Sequence, residues 1–146
     1  MTTSSRFATA IHILTLLGHE RDEPVTSELI AGSVNTNPVV IRRLLRALAD
    51  AGLVTSVPGT SGGSRLARRP EDITLLDVYS AVEDEQLFGR HTQQPNPKCP
   101  VGSRIAELLT PRFDEATHAL MQSLGSTTIA SLLDDLNRAP ARRRRQ

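Results

Sequence analysis

The sequence predicts a mainly α-helical fold with one small β-hairpin wing, a winged helix-turn-helix carrying a long C-terminal helix. Three features predict it. Asn35 to Val54 reads as a short helix with two stripes: Ile41, Leu44, Leu45 and Leu48 form an apolar face, and Val39, Arg42, Arg43 and Arg46 a basic one. A second short helix stands just before it across a very tight turn, and a Gly-rich turn between two strand-like runs follows it. A helix that is apolar on one side packs into a core. An Arg-rich opposite side suits an anionic partner, and a DNA major groove has the width of one helix.

The first helix runs from about Ser5 to Gly18, with Phe7, Ala10, Ile11, Leu14 and Leu17 as its core stripe. Gly18 stops it, and Pro24 closes the polar connection GHERDEP. The second helix takes Thr26 as N-cap and places Glu28 in its first turn, where the helix dipole favours an anion. Val25 and Ile30 flank that start as a hydrophobic staple. The third helix opens at Asn37-Pro38: Asn caps free N–H groups, and Pro at the first position has no N–H to lose. Gly52 ends it.

Leu53 to Val57 reads as a strand, Pro58 to Gly63 as turn chemistry, and Arg65-Leu66-Ala67 as the returning strand. Thr74 and Asp77 form a variant capping box for a fourth helix, with Leu75, Val78, Tyr79 and Val82 inward. Residues 84–99 are irregular. A long helical pattern resumes at Pro100 and continues to Leu124, and Pro111 is expected to kink or restart it. Ser126 to Leu136 reads as a last short helix with Ile129, Leu132, Leu133 and Leu136 inward. The domain reading is therefore 1–83 for DNA binding, 84–99 for a loop with one cysteine, 100–137 for the extension, and 138–146 for a disordered basic tail.

The formal net charge of +1 hides an asymmetry. Residues 37–69 carry six Arg against Asp50 alone, whereas residues 70–137 carry eleven acidic groups against four basic ones. The basic charge thus gathers where the candidate recognition helix lies. No apolar run approaches the ~20 residues needed to cross a bilayer, and the N-terminal stretch is broken by Thr and His, so it reads as a helix and not a signal peptide. One cysteine allows no internal disulfide, in keeping with a cytoplasmic location.

In that order, SRFATAIHILTLL, TSELIAGSVNTNPVVIRRLLRALADAGLV, GTSGGSRLA and ITLLDVYSAVE resemble the Rrf-two family of bacterial winged-helix regulators, from Ser5 to about Leu136. The PNPKCPVG loop is similar to that of the family's YwnA-like branch. The resemblance implies a sequence-specific transcriptional regulator, a repressor, with double-stranded DNA and a second copy of itself as partners and an effector left unnamed. It assigns 100–137 to dimerisation, with the long helix Pro100 to Leu124 crossing its counterpart and setting two recognition helices on a pseudo-palindromic operator. Cluster-binding relatives use three cysteines in the loop before the long helix. This chain has one, which excludes a conventional three-cysteine iron–sulfur site, and no cofactor or metal is expected.

The candidate DNA-binding residues of the helix pair are Thr26, Thr36, Asn37, Pro38, Val39, Arg42, Arg43 and Arg46. Side chains near the start of a recognition helix reach base edges and flanking ones hold phosphates. Arg suits bidentate contact with guanine, and Val39 a thymine methyl. On an isolated helix such a face is more often merely solvated; its position between a tight turn and a Gly-rich hairpin favours DNA. In the wing, Gly62 and Gly63 would let backbone approach phosphate, and Arg65 would reach the minor groove or phosphate. The family pattern has a basic residue near Pro58 and an aromatic at Ser64; this chain departs at both, so an ordinary surface hairpin competes with a DNA-contacting one.

Cys99, just before Pro100, is a candidate redox sensor, because a helix N-terminus lowers a thiol pKa; an inert loop cysteine is the equal alternative. His91 shares its loop, but two ligands at that spacing are a weak metal signal. Two other function classes stand beside the regulator: a protein-interaction module using the basic face, and a cysteine-dependent enzyme, for which no orienting third group stands near Cys99.

Overall fold

The computed structural model describes residues 4–84 and 86–138. In chain order it contains α1 (Arg6–His19), α2 (Ser27–Val34), α3 (Pro38–Asp50), β1 (Val54–Val57), β2 (Gly63–Leu66), α4 (Leu75–Val82), α5 (Ile105–Gly125) and α6 (Ile129–Arg138), with one 3-10 turn at Pro70–Asp72. The strands form an antiparallel hairpin in which Val54 faces Leu66 and Thr55 faces Arg65. No helix among the described residues is long and apolar enough to cross a membrane.

Local chemistry fixes three of the helix starts where the sequence placed them. The Thr26 hydroxyl accepts the Leu29 N–H at 3.2 Å, and Asn37 Oδ1 accepts the Val39 N–H at 2.9 Å. Thr74 and Asp77 exchange both bonds of a capping box. Each satisfies donors that a helix start leaves free. α6 starts the same way, on a reciprocal pair between Thr128 and Ser131, with Ser in place of the usual Glu.

The core collects Ala10, Ile13, Leu14 and Leu17 of α1, Ile30 of α2, Ile41, Leu44, Leu45 and Leu48 of α3, Leu53, Ile73, Val78, and Ile129 and Leu133 of α6. Ile13 is fully buried although it lies outside the expected stripe of α1.

Four expectations need correction. Gly18 does not stop α1, which continues to His19; it is buried where a Cβ would lie 2.9 Å from the Leu133 methyl, so its smallness makes room for α6. The long helix begins at Ile105, because residues 100–104 form turns first, with the Ser103 N–H bonded to the Cys99 carbonyl at 2.9 Å. Pro111 does not restart the helix: α5 runs through it, with Pro111 itself on an exposed surface. Finally, the inward stripe of α6 is shorter than expected. Ile129 and Leu133 sit in the core with α1, while Leu136, expected inward, is 52% exposed.

A short bridge between Thr74 and Thr128 clips α6 in place, with the Ile129 N–H on the Ile73 carbonyl and the Leu75 N–H on the Thr127 carbonyl, both at 2.9 Å. α6 therefore belongs to the same packed body as the helix-turn-helix. Of the tail, Arg138 ends α6, and residues 139–146, including the Arg142 to Arg145 run, lie outside the described residues. Leu133→Ala removes a side chain that is 5% exposed between α1 and α6. It is expected to cost about 3 kcal/mol, read as a drop in the denaturant midpoint; a loss below about 0.5 kcal/mol would detach α6 from the core.

Candidate nucleic-acid interface

The turn between α2 and α3 is only Asn35, Thr36 and Asn37. Asn35 takes the left-handed conformation at φ 64°, which Asn tolerates better than most residues, and the Thr36 N–H closes α2 on the Ala31 carbonyl at 3.0 Å. The turn sets the direction of α3, and the core sets its roll: Ile41 and Leu48 are 0% exposed. The opposite side is left in solvent. Arg42, Arg43 and Arg46 are exposed there, and Val39 remains 48% exposed.

The hairpin stands beside this face. An open groove of about 430 Å³ runs between α3 and the hairpin, lined among others by Ser27, Arg42, Arg46, Ser56 and Ser64. The hairpin is bonded to the connection before α2: the Val25 N–H reaches the Ser64 carbonyl at 3.0 Å, and the Ser64 N–H the Val25 carbonyl at 2.9 Å. Gly63 makes this possible. It sits at φ 154°, and a Cβ there would fall 2.5 Å from the Val25 carbonyl oxygen. A Cβ on Gly62 would likewise collide with the Val57 carbonyl. Both glycines thus have a structural reason within the chain itself, independent of phosphate.

Of the candidates named from sequence, α3 and its cap bring Asn37, Pro38, Val39, Arg42, Arg43 and Arg46 onto one surface, with Thr36 in the turn that leads into it. The Thr26 hydroxyl is engaged by the α2 cap. Arg65 turns back: its guanidinium donates to the Asp22 carbonyl at 3.2 Å, on the α1–α2 connection. Three residues escaped sequence reasoning. Val40 is 42% exposed beside Val39. Ser27 lines the groove. Glu28, taken as a dipole partner alone, bonds Arg42 across the turn at 3.1 Å. Helical periodicity describes one helix at a time, so a pair formed between two helices leaves no signal in it.

Cys99 lies elsewhere, in the loop before α5. Phe88 stacks on Phe113 of α5 with ring centroids 4.8 Å apart, and Arg90 lies over the same ring and donates to the Thr110 hydroxyl at 2.8 Å. These contacts hold residues 89–95 against α5 around a cavity of about 480 Å³, which includes His91 in its wall but not Cys99. The backbone N–H groups of Gly102, and secondarily Val101, point at the thiol and hold its pKa below the ordinary range. The direction agrees with the helix-end argument; the cause is a turn ahead of α5.

A helix-turn-helix with an exposed Arg face, backed by a hairpin bonded to it, defines the winged-helix class of DNA-binding regulators. Within that class the chain belongs to the Rrf2 family, described as an iron-dependent transcriptional regulator, whose model matches residues 3–135. It is similar to YwnA of Bacillus subtilis (strain 168), described as an HTH-type transcriptional regulator, at 46% identity over 134 residues, 91% of this chain and 98% of that one. It is similar to a crystal structure described as a DNA binding protein, at 42% identity and a TM-score of 0.72, covering 88% of this chain and 99% of the other. The structure of CymR (YrzC), the global cysteine regulator of B. subtilis, shares the fold at 24% identity and a TM-score of 0.68, covering 92% and 98%. These relatives are transcriptional regulators, not enzymes.

The family description speaks of iron. The chain has a single thiol, and among the described residues no three His, Cys, Asp or Glu side chains gather as a metal site. The lowered thiol pKa gives a direct check: alkylation of Cys99 by iodoacetamide should reach half its maximal rate at a lower pH than the value for a cysteine in a short unstructured peptide. A midpoint at or above that value would remove the backbone N–H effect.

Proposed function

We propose that this protein is a dimeric transcriptional repressor that reads a pseudo-palindromic operator through α3. One observation carries the reading: Arg42, Arg43 and Arg46 are all exposed on a helix whose other face is locked in the core. On this reading Arg42, nearer the helix start, reaches a base edge, Val39 meets a thymine methyl, and Arg43 and Arg46 hold phosphates. The α5 helix supports the dimer. Its 21 residues include none that is buried within the chain, and Leu108 is 55% exposed. An apolar helix left this open gains by pairing with its own copy, because isologous contact buries the same stripe twice.

Cys99 is the proposed sensor. Its thiolate attacks one oxygen of a peroxide, the O–O bond breaks, that oxygen stays on the sulfur as a sulfenic acid, and the other leaves as hydroxide or alkoxide, which takes up a proton from water. A second thiol, from a small molecule or from the other copy, then displaces water to form a disulfide.

Genomic fragments recovered on purified protein test the main reading. A shared palindromic motif is expected, with affinity that falls steeply as salt rises because counterions are released. Arg46→Ala should weaken all duplexes alike and reduce the salt slope by about one per subunit. Recovery without any shared motif would sink the operator reading, and a monomer at micromolar concentration by light scattering would sink the dimer. For the sensor, peroxide should change operator affinity of the wild type and leave Cys99→Ser unchanged; equal responses would end it.

A further inference from the structure

Glu28 is an acidic side chain on a surface otherwise built for an anion. It projects from the first turn of α2, and its Oε1 accepts from Arg42 Nη2 at 3.1 Å, across the turn to α3. Residues 37–69 carry Asp50 as their only carboxylate, and the Arg42–Glu28 pair lies at the edge of the groove that Ser27, Arg42 and Arg46 line. The two side chains are 55% and 67% exposed, so the pair adds little to the stability of the free protein. A carboxylate among phosphates is repelled, whereas one facing base edges meets the exocyclic amine of cytosine.

We infer that Glu28 is a positioning and specificity residue for Arg42, and that the two together read one G·C pair; this rests on the operator reading above. The bond to Glu28 takes one edge of the Arg42 guanidinium and leaves its remaining N–H groups for guanine O6 and N7. Among the described residues Glu28 Oε2 makes no hydrogen bond, so it is free to accept from the N4 amine of the paired cytosine. Water leaves this contact when DNA docks, so the pair is less screened there, and the base edges supply the hydrogen bonds that offset its loss of solvent. On an A·T pair Arg42 loses its second acceptor and Glu28 faces acceptors or a methyl group. On unrelated DNA the carboxylate is a repulsive element, which adds to specificity from the opposite side.

The test uses full-length wild type, Glu28→Gln, Arg42→Ala and the double variant. Each is titrated with the recovered operator, with a series of operators changed one base pair at a time, and with an unrelated duplex of equal length. Wild type should lose on the order of tenfold affinity when the G·C pair is changed. Glu28→Gln should lose that discrimination at the same pair as Arg42→Ala, and should bind the unrelated duplex more tightly than wild type does. The double variant should discriminate no worse than Arg42→Ala alone, because the two act as one unit. A Glu28→Gln protein that shifts every duplex by the same factor acts through bulk charge, and that result overturns the inference. So does a double variant whose losses add. Wild type without any preference for the operator would overturn the parent reading, and this proposal with it. Equal thermal midpoints for wild type and Glu28→Gln are expected from the exposure of both side chains and confirm that folding is not what changes.

Discussion

Burial of Ile41, Leu44, Leu45 and Leu48 fixes the roll of α3, and the outer face of the molecule follows from that roll. Each such side chain gains roughly 1.5–3 kcal/mol on leaving water. Turning the helix by one residue would swing it about 100°, lift leucines into solvent and drive a guanidinium toward the core, at a cost no surface contact could offset. The arginines therefore need no interaction of their own to point outward. Asn37 and Pro38 set where the helix begins, and Asn35 sets the direction from which it leaves α2. Direction, start and roll together leave one arrangement of Val39, Arg42, Arg43 and Arg46.

The parts of the fold written in short-range chemistry were legible in the sequence. Caps at Thr26, Asn37 and Thr74 depend on residues two or three apart, and the hairpin depends on a glycine-rich turn. What could not be read depends on elements distant in sequence. Gly18 looks like a helix stop until Leu133 is found against it, more than a hundred residues later. The destination of α6 is equally non-local, since its apolar stripe would suit a partner helix as well as α1. The start of α5 was misplaced because Pro100 is a good first residue for a turn as well as for a helix, and Gly102 is held close against the Asn96 carbonyl in that turn. In the interface, the Arg face was legible from spacing, while the bond from Arg42 to Glu28 required knowing how two helices cross.

α5 differs from every other element in how it is held. Thr110 and Phe113, in its first half, grip the preceding loop, and beyond Gly125 the Thr127 carbonyl takes the Leu75 N–H. α5 also packs against α4, yet none of its residues is fully buried within the chain. The same clip that seats α6 thus ties the far end of α5 to the start of α4, and α4 packs on α3. A continuous run of packed elements links the Cys99 loop to α3.

The two backbone bonds between Val25 and Ser64 have a mechanical consequence. They make the connection before α2 a third rung against the hairpin, so the hairpin cannot swing without breaking pairing inside the protein. On the proposed reading, a duplex that docks between α3 and the hairpin meets a gap whose width these bonds help to hold, so groove width enters recognition beside base contacts. That width rests on a close backbone approach that the missing side chain of Gly63 allows.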